Sequence, residues 1–230
     1  MSIKENLDIL REEIKKTALK VNKDPKDIRL VVVTKTIDIE RIKEVINLGV
    51  VDIGENRIQE AKQKYPYLSS FDITLHMIGH LQTNKVKDAV RMFHLIQSLD
   101  SLKLAKEIDK ESKKINKVSS VLVEVNVGNE LTKFGFKYED VLPFLKEAEA
   151  LENIKILGLM TVAPIFKNTE DVRPIFKKLK VLFDEIKKMS FKNVDMQYLS
   201  MGMSSDFKIA IEEGSNMIRI GTAIFGKRAV

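Results

Sequence analysis

The stretch "RLVVVTKTID" (residues 29–38) joins an apolar run to a lysine with no glycine or proline between them. A leucine followed by three valines is typical of a strand that is buried in the middle of a sheet. Lys35 comes two residues after this run. A lysine so close to a buried strand either extends its amine to solvent or is held inside for the chemistry of that amine.

Short apolar runs of this kind recur along the chain and alternate with longer amphipathic segments. They predict eight strands, over residues 29–35, 50–54, 73–79, 93–98, 118–127, 154–160, 195–201 and 216–221. Before the first strand, one apolar stripe at helical spacing predicts a helix; its members are Ile3, Leu7, Leu10 and Ile14. Strands that alternate with helices pair in parallel through right-handed crossovers.

Eight strand–helix units favour a closed barrel over an open sheet. The chain has 230 residues, and a (β/α)8 TIM barrel takes roughly 200–250. A doubly wound open sheet, the alternative, usually carries a G-x-G-x-x-G turn after its first strand, and "TKTID" contains no glycine. We predict an α/β fold, a (β/α)8 TIM barrel with an extra N-terminal helix, and we expect residues 1–230 to form a single domain.

Composition and charge narrow the class of protein. The chain contains no cysteine, which excludes disulfides and thiolate metal sites. No apolar stretch approaches the ~20 residues that span a bilayer, and the first residues mix acidic and basic side chains unlike a signal peptide. We therefore expect a cytoplasmic protein without a membrane partner.

The net charge of +6 raises the possibility of a nucleic-acid-binding surface. The lysines, however, are interspersed with glutamates along helical segments, whereas a clustered basic patch is the usual footprint. Aromatic residues make up only 7% of the chain, which leaves few platforms for stacking bases. We expect solvated helix faces and no nucleic-acid partner.

In a barrel of this kind, functional groups cluster at the carboxyl ends of the strands. Lys35 shares a strand face with Val33 and Val31, because side chains alternate with period two. If that face lines the barrel, the amine points into the mouth. Burial disfavours a charged ammonium, and a neutral amine attacks carbonyl groups to form an imine. We therefore predict that Lys35 forms a Schiff base with an aldehyde or ketone, provided that the mouth holds one.

The last two strand ends indicate what that carbonyl compound carries. Barrels often bind phosphate with the loops after strands seven and eight and with the N-terminus of a short extra helix. Strand seven ends at "SMGMSSD" (200–206), and strand eight runs into "GTAIFG" (221–226). Gly221 lets a phosphate approach the backbone, where N–H groups at a helix start are free to donate. We predict a phosphorylated carbonyl ligand.

Arg219, on the eighth strand, shares a face with Met217 and Gly221. Its guanidinium is permanently charged and only donates hydrogen bonds. It either binds the phosphate or faces a ring nitrogen of the ligand. Against a pyridine nitrogen it would favour the unprotonated ring, which is the weaker electron sink.

Two other features of the sequence, a pair of histidines and a glutamate, have both a structural and a functional interpretation. His76 and His80 are four residues apart, which on or leaving a strand separates them by up to ~13 Å at ~3.3 Å per residue. With no H-E-x-x-H motif, we predict no metal site. Glu55, at the end of the second strand, is either a general base or a carboxylate that orients a neighbour or caps the next helix.

Seven segments of the chain, in order, resemble the pyridoxal phosphate homeostasis proteins, which are single-domain barrel proteins related to alanine racemase. The segments are "VVVTKT", "GENRIQEAKQK", "HMIGHLQTNK", "VLVEVNVGNELTKFGF", "GLMTVAP", "LSMGMSSDF" and "IRIGTAIFG". They cover nearly the whole barrel. The resemblance implies that the cofactor is pyridoxal 5′-phosphate, that Lys35 forms the imine with it, and that Arg219 faces its pyridine nitrogen.

The resemblance also implies the rest of the cofactor-binding set. It places Asn56 near the ring and surrounds the phosphate with Ser200, Gly221 and Thr222. The set is completed by Met201, Ser204 and His76.

Proteins of this family carry or regulate the cofactor, so the resemblance implies a role in intracellular pyridoxal phosphate homeostasis, without efficient turnover and without a catalytic residue. A second hypothesis is a pyridoxal phosphate-dependent amino-acid racemase or decarboxylase. It needs a second catalytic base, and related racemases add a β domain, whereas only nine residues follow Gly221 in the 230-residue chain. A third is a nucleic-acid-binding barrel. The expected partners are the cofactor and apo forms of enzymes that use it, and we expect a monomer.

Overall fold

The computed structural model of the protein describes residues 1–128, 130 and 133–226. The strands are β1 Arg29–Val33, β2 Asp52–Glu55, β3 Thr74–Met77, β4 Leu95–Leu99, β5 Ser119–Glu124, β6 Ile154–Met160, β7 Val194–Ser200 and β8 Met217–Ile220. The α-helices are α1 Ile3–Lys20, α2 Ile39–Asn47, α3 Ile58–Leu68, α4 Val86–Met92, α5 Leu102–Lys113, α6 Val141–Ala148, α7 Arg173–Lys187, α8 Phe207–Glu212 and α9 Thr222–Phe225.

The eight strands form one closed barrel. Each strand pairs in parallel with the next along the chain, and β8 pairs in parallel with β1. The predicted (β/α)8 barrel with an extra N-terminal helix is confirmed. All strands between Arg29 and Ile220 belong to this barrel; that residues 1–230 form a single domain stays a prediction.

Alternation along the strands divides the apolar side chains into two layers. The layer inside the barrel consists of Val31, Leu95, Leu122, Met160 and Met217. The larger layer lies between strands and helices and includes their strand neighbours Val32, Ile96, Val123 and Ile218. Fully burying one such side chain stabilises a fold by about 1.5–3 kcal/mol. The same alternation directs polar residues near the carboxyl ends of the strands towards the mouth of the barrel.

The extra helix α1 begins at Ser2, whose hydroxyl accepts the Glu5 N–H while the Glu5 carboxylate accepts the Ser2 N–H. Its apolar stripe is buried, as predicted, and packs against α8 and α9. The Asn6 side chain also donates to the Ile224 carbonyl at 2.9 Å. The helix therefore supports the last strand–helix unit, where the sequence predicts the phosphate loop.

The strands differ from their predicted ranges only at the ends, and one difference bears on the site. β1 ends at Val33, not at residue 35, because the chain turns at Lys35 and Thr36 has a φ of +62°. Lys35 therefore lies two residues beyond the strand, where side-chain alternation no longer determines which way it points. β5 ends at Glu124, beyond which Val125 forms a single bridge to Phe136. Within the segment "NVGNELTKFGF", Asn129, Leu131 and Thr132 lie outside the described residues.

Among the described residues, no helix is long and apolar enough to cross a membrane.

Candidate functional site

Arg219 lies on the interior face of β8 and is only 4% exposed. Its Nη1 donates to Ser200 Oγ at 2.6 Å, and its Nη2 donates to the Thr161 carbonyl at 2.7 Å. Burial lowers the pKa of Arg219 to about 10, and the negative charges of Glu124 and Asp206 oppose that effect. Arg219 therefore stays charged at neutral pH. A guanidinium has five N–H donors, so these two bonds leave donors for a ligand.

Ser200 begins a hydrogen-bonded chain that crosses the barrel interior. Its hydroxyl donates to Gln97 Oε1 at 2.7 Å. Gln97 Nε2 lies 2.9 Å from His76 Nδ1, and His76 Nε2 lies 2.8 Å from Asp52 Oδ1. All four side chains are buried. The chain thus connects the carboxyl end of β7 with the amino end of β2.

The hydrogen bonds from Ser200 to Asp52 all run in one direction. The Gln97 amide nitrogen only donates, so His76 accepts at Nδ1 and carries its proton on Nε2, where it donates to Asp52. The opposite amide orientation would face an unprotonated His76 nitrogen with a carboxylate. A ring that accepts at Nδ1 is neutral, and burial lowers the pKa of His76 in the same sense, although Asp52 opposes this. Asp52 pairs in turn with Arg29 at 2.6 Å. From Ser200 to His76, each donor points away from Arg219, and Asp52 accepts from both His76 and Arg29.

Lys35 follows β1 on a turn, and its side chain is half-buried. The Thr34 carbonyl accepts the Ile37 N–H at 3.0 Å, which closes the turn. Thr36 lies in the left-handed region, where a non-glycine residue costs on the order of 1–3 kcal/mol. β1 pairs with β8 so that Val31 is opposite Arg219. Lys35, on the turn after β1, and Arg219, near the end of the neighbouring strand β8, therefore lie at the same end of the barrel.

A cavity of about 250 Å³ opens at the mouth beside β2, β3 and β5. Asn56, His80 and Glu124 line it together with Ile78, Gly79, Val125, Asn126, Lys133, Phe134 and Val162. Asn56 Oδ1 is buried and accepts no hydrogen bond from any described residue. The His80 ring is held by Asp100 at 2.8 Å and stacks on Phe134 at 3.7 Å. Because a buried acceptor without a partner is rare, Asn56 Oδ1 is a candidate acceptor for a ligand in this cavity, and its contact with the cofactor stays a prediction.

Sequence reasoning missed two polar residues of the interior, Glu124 and Gln97. Glu124 comes two residues after Leu122, and Gln97 comes two residues after Leu95, so both follow an apolar residue that faces the barrel interior. That spacing was the available signal. Burial raises the pKa of Glu124 to about 7, Asp100 adds to this, and Arg219 opposes it. A carboxyl group with a pKa near neutrality can take up or release a proton in the mouth.

Ser204, Gly221 and Thr222 come together at the start of α9. Ser204 Oγ accepts the Ala223 N–H at 3.3 Å, and Thr222, the first residue of α9, is exposed. A Cβ on Gly221 would lie 3.1 Å from the Val33 carbonyl oxygen and 3.3 Å from Val33 Cβ. Glycine therefore lets β8 end close against β1. These three residues form the loop for which the sequence predicts a phosphate.

Three other predicted residues lie elsewhere. The Ser200 hydroxyl is committed to Arg219 and Gln97, and both ring nitrogens of His76 are bonded. The Met201 side chain is buried in the layer between strands and helices. These hydrogen bonds let Ser200 and His76 hold Arg219 in place from inside the barrel, and the Met201 side chain packs. Cofactor contact by these three residues stays a prediction.

No group of three or more histidine, aspartate or glutamate residues that could hold a metal ion occurs in residues 1–128, 130 and 133–226. His76 and His80 bond to different carboxylates, those of Asp52 and Asp100.

The sequence matches a known family along nearly its whole length. Residues 3–229 match the family model for the alanine racemase N-terminal domain. The pyridoxal phosphate homeostasis protein of Aquifex aeolicus is 45% identical over 228 residues, which cover 99% of either chain. The protein of the same name from Haemophilus influenzae is 35% identical over 231 residues, covering 99% of this chain and 97% of the relative.

Solved structures agree with this match. PipY of Synechococcus elongatus PCC7942 without PLP has a TM-score of 0.87 at 31% identity, covering 98% of this chain and 100% of that one. The same protein with PLP bound has a TM-score of 0.83 at 30% identity and the same coverage. Alanine racemase of Clostridium difficile, at 17% identity and a TM-score of 0.72, covers 96% of this chain and 60% of that one, and shows the fold alone. With a full-length relative at 45% identity and a family model matched over residues 3–229, the chain belongs to the pyridoxal phosphate homeostasis proteins of the alanine racemase N-terminal domain family.

Proposed function

We propose that this protein binds pyridoxal 5′-phosphate through Lys35 and acts in intracellular pyridoxal phosphate homeostasis, as a carrier or regulator without efficient turnover. The observation that carries the proposal is the buried Arg219 guanidinium, which Ser200 and Thr161 fix in place. It presents a cation with free donors next to the strand end of Lys35. The names of the relatives and the PLP-bound structure of PipY support the same ligand.

The residues at the mouth fit this cofactor. When bound, pyridoxal phosphate supplies an aldehyde that condenses with a lysine amine, with loss of water, and a phosphate that anchors it. Lys35 provides the amine, which attacks only in its neutral form. Asn56 offers the acceptor that lacks a partner among the described residues. Ser204 and the backbone at Gly221 lie where the phosphate is predicted.

Arg219 also supports the absence of efficient turnover. If Arg219 faces the pyridine nitrogen of the bound cofactor, its guanidinium would donate to that nitrogen and keep it unprotonated, which would weaken the ring as an electron sink. Relatives named as homeostasis proteins, and not as enzymes, agree with this role.

An amino-acid racemase or decarboxylase is the second candidate, and one observation favours it. Burial raises the pKa of Glu124 to about 7, and Glu124 lines the cavity with Asn56. A carboxyl group tuned in this way is the kind of group that serves as a general acid or base. The hypothesis of a racemase or decarboxylase therefore depends on Glu124.

We also propose that the protein is a cytoplasmic monomer that gives the cofactor to apo forms of the enzymes that use it. A chain without cysteine suits a reducing compartment. Several lysines pair with glutamates at the surface, as Lys43 does with Glu40 and Lys110 with Glu107, which supports solvated helix faces and not a nucleic-acid surface. Light scattering on the purified protein tests the monomer, and activation of an apoenzyme by the loaded protein tests transfer.

Titration with pyridoxal phosphate tests the proposed function. Wild type should develop a visible absorption band and retain the cofactor through dialysis. Lys35→Ala should lose the band, and Lys178→Ala, at an exposed position on α7, should behave as wild type. Absence of both the band and retention in wild type would refute the proposal.

A further inference from the structure

The turn that carries Lys35 is attached to three charged side chains from β2 and α3, which we call the Glu55–Glu60–Lys64 cluster. Lys64 Nζ donates to Glu55 Oε1 at 2.8 Å and to Glu60 Oε1 at 2.6 Å. Its third bond, of 2.7 Å, ends on the Thr34 carbonyl. An ammonium has three donors, so Lys64 is fully satisfied. The Lys64 and Glu55 side chains are 9% and 1% exposed.

The cluster holds the chain on both sides of Lys35. Before the lysine, Thr34 donates its hydroxyl to Glu55 Oε1 at 2.5 Å and accepts Lys64 on its carbonyl. After the lysine, the Thr36 N–H donates to Glu60 Oε1 at 2.5 Å. Thr36 is the residue with a φ of +62°. A strained backbone of this kind persists only where its surroundings over-determine it, and Glu60 supplies that constraint.

We propose that the Glu55–Glu60–Lys64 cluster is a positioning device for Lys35, which fixes the backbone of Thr34 and Thr36 so that the amine is presented to an aldehyde in the mouth. This inference rests on the proposed function of Lys35. It also decides between the two interpretations of Glu55: the carboxylate orients a neighbour, and it is not a base facing the ligand.

Burying the charged groups of the cluster costs free energy, which indicates that the cluster does more than stabilise the fold. Burying the Lys64 ammonium and the Glu55 carboxylate is expensive, and well-packed apolar residues often stabilise as well or better. Burial raises the pKa of Glu55, although Lys64 opposes this, and Glu55 Oε2 is buried without a partner among the described residues. The bonds of the cluster that leave β2 and α3 end on the two neighbours of Lys35.

Glu60 offers the sharpest test, because its side chain is 20% exposed. Glu60→Ala removes the acceptor of the Thr36 N–H, while Lys64 keeps Glu55. Glu60→Gln retains an oxygen that can accept that N–H. Glu40→Ala, which removes an exposed carboxylate of α2 that pairs with Lys43 at 3.0 Å, is the matched control.

Two measurements separate positioning from stability. The first is the rate at which pyridoxal phosphate becomes covalently attached to Lys35. The second is the affinity for pyridoxine 5′-phosphate, which has the same ring and phosphate but no aldehyde. Because misplacing a reacting group by about 1 Å can cost on the order of 10²-fold in rate, we expect Glu60→Ala to slow attachment by roughly 10–100-fold and to leave the pyridoxine phosphate affinity unchanged. Glu60→Gln should recover most of the rate, and Glu40→Ala should match wild type.

The Thr36 amide provides a third readout in the free protein, since it should exchange its hydrogen faster in Glu60→Ala. An unchanged attachment rate in folded Glu60→Ala, or equal losses of rate and pyridoxine phosphate affinity, would overturn the positioning role. If Glu60→Ala does not fold, Glu60→Asp, which keeps the charge on a shorter side chain, should slow attachment likewise, and an unchanged rate there overturns the role as well. Wild type that binds neither ligand would instead refute the proposed function itself.

Discussion

Ser200 Oγ lies 2.6 Å from Arg219 Nη1 and 2.7 Å from Gln97 Oε1, so one hydroxyl joins the guanidinium at the mouth to the polar chain inside the barrel. Arg219 is thereby fixed by neutral acceptors, Ser200 and the Thr161 carbonyl, and not by a hydrogen-bonded carboxylate. The guanidinium N–H groups outside these two bonds remain available to a ligand. The position of the guanidinium depends on the hydrogen bonds that Ser200 and the Thr161 carbonyl accept from Arg219.

Gln97→Leu should lower the free energy of unfolding. The substitution leaves the Ser200 hydroxyl and His76 Nδ1 buried without their partner, and each unsatisfied group costs about 1–3 kcal/mol. Denaturant unfolding measures the loss. Gln197→Leu, at an exposed position of β7, is the matched control and should change stability by no more than about 0.5 kcal/mol. If the two substitutions changed stability equally, the buried hydrogen bonds of Gln97 with Ser200 and His76 would not stabilise the fold.

Arg219→Ala and Thr222→Ala should both weaken retention of pyridoxal phosphate. Hydrogen bonds to charged groups contribute about 1.5–3 kcal/mol, so the loss of one should raise the dissociation constant by about tenfold or more. Equilibrium dialysis measures retention, with Lys178→Ala as the control that should retain the cofactor as wild type does. Equal retention in all three proteins counts against the anchoring that we propose.

Glu124 should make the folded protein less stable as the pH rises. Burial raises the pKa of Glu124 to about 7 from its ordinary value of 4.5, so the folded state binds this proton more tightly than the unfolded state. The contribution is fully present below the unfolded pKa and is lost as pH rises through about 7. Glu124→Gln, which is neutral at every pH, should therefore raise the melting temperature more at about pH 8 than at about pH 5.

A control for this pH dependence is Glu139→Gln, at an exposed position. The other side chains around the cavity are the same in all three proteins, so their effects cancel in the comparison. Parallel pH curves for wild type and Glu124→Gln would show that Glu124 does not titrate as described.

The loaded protein should not turn over amino acids at an enzymatic rate. Racemisation requires a proton donor or acceptor on each face of the substrate, and losing one such group costs typically 10²–10⁴-fold. Incubation with D- and L-amino acids, followed by chirality, carbon dioxide and keto-acid assays, measures the reaction. Turnover at about 1–10³ per second, abolished in Glu124→Gln, would establish the enzyme instead of the carrier.

Side-chain alternation made the barrel predictable from sequence, and it also marks where that reasoning stopped. Val31 faces the interior and Val32 faces the helices, as the apolar run requires. The alternation cannot describe a turn, so it did not show that Thr36 adopts a left-handed conformation or that Lys35 leaves the strand. The sequence placed Lys35 at the strand end, whereas it lies on the turn that follows β1, and the contacts that hold this turn have no signal in the alternation.

Contacts between distant residues were the larger gap. Ser200 and Gln97 are 103 positions apart and Lys64 and Thr34 are 30 apart, so no local pattern announces either bond. Alternation alone would have placed Glu124 and Gln97 inside the barrel, but only the closed barrel shows what they face. Ser204 and Gly221, by contrast, were predicted together because barrels commonly build one phosphate loop from the last two strand ends.

The central claim, covalent attachment at Lys35, is tested most directly by borohydride reduction of the protein loaded with pyridoxal phosphate, followed by mass spectrometry of its peptides. Reduction fixes the cofactor to the amine that carries it. We predict one modified residue, Lys35, in wild type and in Lys178→Ala, and no stoichiometric modification in Lys35→Ala. Modification at another lysine, or equal modification in Lys35→Ala, would contradict the account.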